Sequence, residues 1–290
     1  MQRPAIRNLK LPFCNQANYN IMKKIFLALI FAVAGIAAQA FSVDTVTVAT
    51  KNLDSDMRVT VITPDCAGPE RSVPTVYLLN GYGGDYKSWC IIQPGLGKLA
   101  DQYGMLIVCP DGRDSWYFDS PLNPGMQMES FFVNDLVPYI DNNYPTRRQA
   151  SQRAITGLSM GGHGGLWLGT RHPEVWGNMG STSGGVNIMP FAEKWKIKKA
   201  IGPQETNKEL WQKSTVVSLV PQMKANGQNI IFDCGSEDFF ADVNADLHQR
   251  LLDAKVPHDY VSRPGKHNRQ YWANSILYQL LFFNQKFNNL

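Results

Sequence analysis

The sequence is short of the features that mark most non-enzymatic classes. Cysteine is scarce, five in 290 residues, and no two lie at the close spacing of a structural zinc site. There is no repeat period, and charged residues reach 18% against 44% hydrophobic ones, which excludes disordered, collagen-like and coiled-coil chains. No internal stretch is polar or proline-rich enough to serve as an interdomain linker. A basic excess is also missing from the body of the chain. The formal charge is +4, but Arg3, Arg7, Lys10, Lys23 and Lys24 fall in the first 40 residues, which contain no acid. That leaves 23 basic against 24 acidic residues elsewhere, so no nucleic-acid partner is expected.

The basic start has its own explanation. Met22-Lys23-Lys24, the apolar run Ile25 to Ala34 and Ala38-Gln39-Ala40 together read as an export signal with cleavage after Ala40. The apolar run is too short to span a bilayer comfortably, so no retained anchor is expected. Met22 offers a second start, with residues 1–21 as an N-terminal extension. Residues 41–290 are expected to form one domain, periplasmic or extracellular. Export leaves Cys66, Cys90, Cys109 and Cys234 in an oxidising compartment, where one or two disulfides are allowed and the pairing is open. Oligomeric state is likewise open.

Along the mature chain, Phe41 to Thr50 and Met57 to Thr63 alternate like half-buried strands and predict an opening antiparallel pair. Short apolar runs follow at Thr75 to Leu79, Leu106 to Cys109, Ala154 to Leu158, Ile230 to Phe232 and Asp259 to Val261, each separated by helical stretches. That order predicts an α/β fold with a mostly parallel central sheet and helices on both faces. Met128, Phe132, Leu136 and Ile140 predict a helix kinked at Pro138. Val243, Leu247 and Leu251 predict another, and Trp272, Ile276 and Leu280 mark a last one over Tyr271 to Phe287. Residues 186–225 lack a clear strand and are expected to be helical insertions near the active-site face.

Chemistry concentrates at Gly157-Leu158-Ser159-Met160-Gly161, a G-x-S-x-G string between an apolar strand and a Gly-rich helix. A serine on so tight a turn needs small residues on either side so that strand and helix can pass closely. It also needs a base, and the base a carboxylate, in the chain order serine, acid, histidine. Of five histidines, His163 and His172 fall on or just after the nucleophile helix, His248 within a helix, and His258 at a strand start. His267 alone occupies a late loop. Asp238 follows the strand Ile230 to Cys234 through a turn and is the expected acid; Glu237 is its neighbour and rival, Asp233 is expected in the strand, and Asp242 suits a helix N-cap. The Met160 N–H and the Tyr82 N–H, in the glycine-rich loop Asn80 to Asp85, are the expected oxyanion donors.

With those residues identified, the chain resembles the esterase D family of α/β hydrolases, which includes feruloyl and acetyl xylan esterases. The resemblance runs from Thr75 to the C-terminus. It rests on Tyr77 to Asp85, Pro110 to Gly112, Trp116 to Pro121, Gly157 to Gly164, Asp233 to Phe240 and Pro264 to Trp272. It implies the α/β-hydrolase fold and a serine carboxylester hydrolase without cofactor or metal, removing acetyl or hydroxycinnamoyl groups from carbohydrate or similar small esters through Ser159, Asp238 and His267. Trp116, Tyr117 and Trp272 become candidates for an aromatic or sugar-stacking pocket, with core packing as the alternative. Two departures stand out: Asn80 replaces a common histidine, and Lys266 and Arg269 make the histidine loop more cationic. An acyltransferase on the same scaffold and a non-catalytic carbohydrate-binding protein are the rival readings.

Overall fold

The computed structural model describes residues 40–290, so the expected leader falls outside the described residues except for Ala40. From Ala40 to Leu290 the chain forms one compact unit. The alternating segments at its start pair as expected: β1 (Ser42–Val48) runs antiparallel to β2 (Met57–Thr63), with Ser42 opposite Thr63. β3 (Thr75–Leu79), β4 (Leu106–Pro110), β5 (Arg153–Gly157), β6 (Asn178–Thr182), β7 (Asn229–Gly235) and β8 (Asp259–Arg263) complete an eight-stranded sheet in the order β1-β2-β4-β3-β5-β6-β7-β8. β2 is antiparallel to both its neighbours, and the strands from β4 to β8 are mutually parallel. Every residue of β3, β4, β5 and β6 is buried, which follows from helices covering both faces of a parallel sheet.

α1 (Ser88–Ile92) and α2 (Leu96–Tyr103) cover one face. α3 (Met128–Phe131) and α4 (Val137–Asn143) lie on the other, joined by a π-helical turn over Phe132–Leu136. In place of the expected kink at Pro138, the chain stays helical through the proline, the second residue of α4, with the π turn directly before it. α5 (Met160–Arg171) follows Ser159 and packs on β5 and β6. Residues 186–225 are helical and irregular as expected, with α6 (Ile197–Ile201), α7 (Lys208–Lys213) and α8 (Val220–Asn226). α9 (Ala241–Asp253) and α10 (Arg269–Phe287) close the chain.

Two apolar clusters flank the sheet. One joins Tyr77, Val108, Ile155, Leu166, Phe232 and Leu251, and the other joins Leu78, Ile107, Ala154, Ile276, Leu280 and Phe283. Alternate residues of the same strands thus feed opposite layers, the period-two pattern of a strand. Cys66, Cys90, Cys109 and Cys234 are all free thiols, so the disulfides that export allowed are absent from the described residues. Cys90 and Cys109 pack together in the second cluster, and their mutual hydrogen bond brings the Cys90 thiol down to about 7. Among the described residues no helix is long and apolar enough to cross a membrane.

Candidate active site

Ser159 stands between β5 and α5 with φ 57° and ψ −116°, a conformation that non-glycine residues adopt at a cost of about 1–3 kcal/mol. Its main chain is fixed on both sides: the N–H donates to Thr182 O at 2.9 Å, and its carbonyl accepts from Gly185 at 3.2 Å. The two glycines of the string are steric requirements. A Cβ at Gly157 would lie 2.6 Å from the Leu79 Cβ, and one at Gly161 would lie 2.7 Å from the Asn80 carbonyl oxygen. Strand, turn and helix could not approach this closely with any side chain there.

The strained turn aims Ser159 Oγ at His267. Nε2 of the imidazole is 3.0 Å from Oγ, and Nδ1 is 2.9 Å from Asp238 Oδ2. The Asp238 side chain is wholly buried and also accepts the Phe240 N–H at 2.9 Å through Oδ1. The acid and histidine loops are in direct contact, because the Ser236 N–H donates to Arg263 O and the Glu237 N–H to Gly265 O, both at 2.9 Å. Asn268 then caps α10, its Oδ1 accepting the Tyr271 N–H at 3.0 Å. Glu237 points elsewhere, its exposed carboxylate 3.5 Å from Lys266 Nζ. Asp242 lies in the first turn of α9, whose N-cap is Phe240, so it is not the capping residue.

Of the two expected oxyanion donors, the Met160 N–H opens α5 and Tyr82 borders the cleft beside Ser159. Neither N–H finds a main-chain acceptor among the described residues. Gly81 passes so close to Ser159 that a Cβ there would be 3.3 Å from the Ser159 Cβ. Asn80, fully buried, holds the base of this loop: its Oδ1 accepts the Gly112 N–H at 2.7 Å, and its carbonyl accepts the Tyr117 hydroxyl at 2.9 Å. The amide does the anchoring at the position where the resemblance implied a histidine.

That places two of the three aromatic candidates in the core. Tyr117 is 0% exposed and braces Asn80 from below. Trp116 is 1% exposed, donating its indole N–H to Trp195 O at 3.1 Å and packing on His163. Both take left-handed backbone angles that turn their rings inward, φ 55° and 64°. Trp272 alone borders the cleft, edge-on to His267 at 5.0 Å. The residues missed are Trp195 and Phe239. Phe239 is 53% exposed, lies 4.2 Å from the His267 ring, and stacks on Trp195 at 5.5 Å. The one available signal was the position of Phe239 beside the acid, in the string Asp238-Phe239-Phe240. Together these groups line an open cleft of about 430 Å³ that includes Ser159 and His267. Among the described residues, no group of three or more His, Cys, Asp or Glu side chains is arranged to hold a metal.

The remaining titratable groups are structural. Asp233 is buried in β7, where burial pushes its carboxyl up while Ser275, Gln279 and Thr182 donate to it. Glu129 collects Arg171 Nε and His172 Nε2, each at 2.7 Å. His248 and His258 bond to each other at 2.8 Å. His163 is buried among Trp116, Phe118 and Trp167, and burial brings it down to about 4. Between pH 6.5 and 4 the unfolded chain therefore binds the proton that the folded chain refuses, and stability is lost as the pH falls through that window. That difference is worth about 3 kcal/mol. Urea unfolding at pH 7 and pH 4.5 should show this loss, and His163→Gln should shrink it by about 2 kcal/mol. An unchanged difference would mean that the ring titrates normally in the fold.

An elbow serine, a buried acid behind a loop histidine and a sheet of this order define an α/β hydrolase. The family model described as "Putative esterase" matches residues 50–283, and the chain belongs to that family. It is a carboxylic ester hydrolase. An acetyl esterase of Caldicellulosiruptor saccharolyticus is 24% identical over 220 residues, covering 71% of this chain and 81% of that protein. A ferulic acid esterase of known structure is 26% identical, with a TM-score of 0.74 over 86% of this chain and 99% of that one. An S-formylglutathione hydrolase from Staphylococcus aureus, 17% identical, superposes with a TM-score of 0.75 over 85% of this chain and 100% of that one, a likeness of fold.

Proposed function

We propose that the protein is an exported serine esterase that removes acetyl or hydroxycinnamoyl groups from carbohydrate or similar small esters through an acyl-enzyme. The observation that carries the reaction is the continuous chain from Ser159 Oγ to His267 at 3.0 Å and on to buried Asp238 at 2.9 Å. His267 takes the hydroxyl proton as Oγ attacks the ester carbonyl, and Asp238 holds the imidazole in the tautomer with Nε2 free. The Met160 and Tyr82 N–H groups receive the developing oxyanion. His267 Nε2 returns the proton to the leaving alcohol, and water repeats the sequence on the acyl group, freeing the acid and the serine.

The cleft supports small or planar acyl and alcohol groups. It is open, with Trp195, Phe239 and Trp272 as apolar faces and glycine backbone opposite. The acetyl esterase and ferulic acid esterase relatives point the same way. A panel of p-nitrophenyl acyl esters, methyl ferulate and acetylated xylan tests it: turnover should favour short or aromatic acyl groups. Activity confined to long-chain esters would sink the substrate assignment.

Export is supported by the first of the described residues. Phe41 packs over Gly97, and its N–H donates to Asp101 Oδ2 at 3.3 Å. Cleavage after Ala40 would turn that N–H into an ammonium facing the same carboxylate, a charge-assisted contact at a docked terminus. The intact mass of protein recovered from periplasm or medium should correspond to a chain beginning at Phe41. A mass retaining the residues before it would refute the cut.

A further inference from the structure

The oxyanion loop is held at its base by two buried bonds to Asn80, but its tip is held from outside. Exposed Gly83, with φ 73°, donates its N–H to Asp114 Oδ1 at 3.1 Å. The second oxygen of the same carboxylate, Oδ2, accepts Lys196 Nζ at 3.0 Å. That ammonium in turn lies 5.6 Å from the centre of the Tyr82 ring. Besides the Gly84 N–H bond to Gly81 O at 3.0 Å, the Asp114 contact is the one hydrogen bond among the described residues that restrains Tyr82-Gly83.

The far side of the tie is also strained. Trp195 and Lys196 are consecutive non-glycine residues at φ 46° and 53°, each at a cost of order 1 kcal/mol or more. Such a conformation persists when its surroundings over-determine it. Here the Trp195 carbonyl accepts the Trp116 indole, its ring stacks on Phe239, and Lys196 meets Asp114. The result is a brace across the cleft from the oxyanion loop, through Asp114, to the aromatic wall beside His267.

We infer that Asp114 is a positioning residue for ester cleavage: by fixing Gly83 it aims the Tyr82 N–H at the oxyanion, and by pairing Lys196 it braces Trp195 on the opposite wall. The inference rests on the serine mechanism proposed above. Removing an oxyanion donor outright costs about 10²–10³ in rate, so loosening one should cost about tenfold. An exposed ion pair adds little to folding stability, so the effect should appear in the reaction rather than in unfolding.

The test compares Asp114→Ala, Asp114→Asn and Lys196→Met with wild type, using p-nitrophenyl acetate and phenylboronic acid. The boronate adds to Ser159 Oγ and places an oxygen in the oxyanion site, so it reports on the donors directly. Asp114→Ala should lose about tenfold in kcat and in boronate affinity, with KM within about twofold and the melting temperature unchanged. Asp114→Asn keeps an acceptor for Gly83 and should recover to within about threefold; Lys196→Met should do the same. Wild-type kcat and boronate affinity in Asp114→Ala would overturn the inference, as would equal losses in the Asn and Ala variants. An active Ser159→Ala would instead remove the serine mechanism itself. An inert Ser159→Ala beside an undisturbed Asp114→Ala removes this inference alone.

Discussion

Ser159→Ala should abolish ester turnover, lowering kcat by at least about a thousandfold and toward the ~10⁶ that loss of a triad serine can cost. The substitution deletes one oxygen and leaves the strained turn in place. Its N–H bond to Thr182 O and the Gly185 bond to its carbonyl are main-chain contacts and survive. KM and melting temperature should therefore stay near wild type, while the p-nitrophenolate burst that marks acyl-enzyme formation disappears. Residual activity within tenfold of wild type would show that the nucleophile lies elsewhere.

Asp238→Asn should lose about 10³–10⁴-fold in kcat despite being nearly isosteric. The reason is directional. The Phe240 N–H points at Oδ1 from 2.9 Å, so an asparagine satisfies it best by placing its carbonyl oxygen there. Its NH₂ then occupies the Oδ2 position, the nearer to His267 Nδ1 at 2.9 Å against 3.1 Å for Oδ1, and donates where an acceptor is needed. The imidazole is driven to the tautomer protonated on Nε2, which meets the serine hydroxyl with a hydrogen instead of a lone pair. Steady-state kinetics with the p-nitrophenyl esters measures the loss. A variant within tenfold of wild type would mean that Asp238 orients the ring without fixing its tautomer.

The sequence carried the fold where apolar runs were uninterrupted, and lost it where a strand is filled with polar groups. Five parallel strands read clearly as short Val/Ile/Leu-rich runs, and the elbow, the acid turn and the histidine loop followed from strand ends. β6 did not. Asn178-Met179-Gly180-Ser181-Thr182 has no apolar alternation, yet all five residues are buried. Asn178 donates to Ser151 O, and Ser181 O and the Thr182 hydroxyl accept from Gln279. A Cβ at Gly180 would sit 2.7 Å from Gln279 Oε1, so the residue that looks like a break is the one that admits the partner from α10. Such reciprocal satisfaction involves residues 27 to 98 apart in sequence and leaves no local pattern. Trp116 and Tyr117 lie in the core and not on the cleft for a related reason. Composition marks a tryptophan as large and apolar, but the left-handed turns that bury Trp116 and Tyr117, and the one that brings Trp195 to the cleft, are set by tertiary contacts.

The stretch between β6 and β7 supplies Trp195 to the cleft, yet it contains none of Ser159, His267, Asp238, Met160 and Tyr82, the residues proposed to carry the reaction. One of the three apolar faces, Trp195, therefore sits on a length of polypeptide apart from the proposed bond-breaking groups, whereas Phe239 and Trp272 adjoin Asp238 and His267. Exchanging that stretch reshapes one wall of the cleft and leaves the other two where they are.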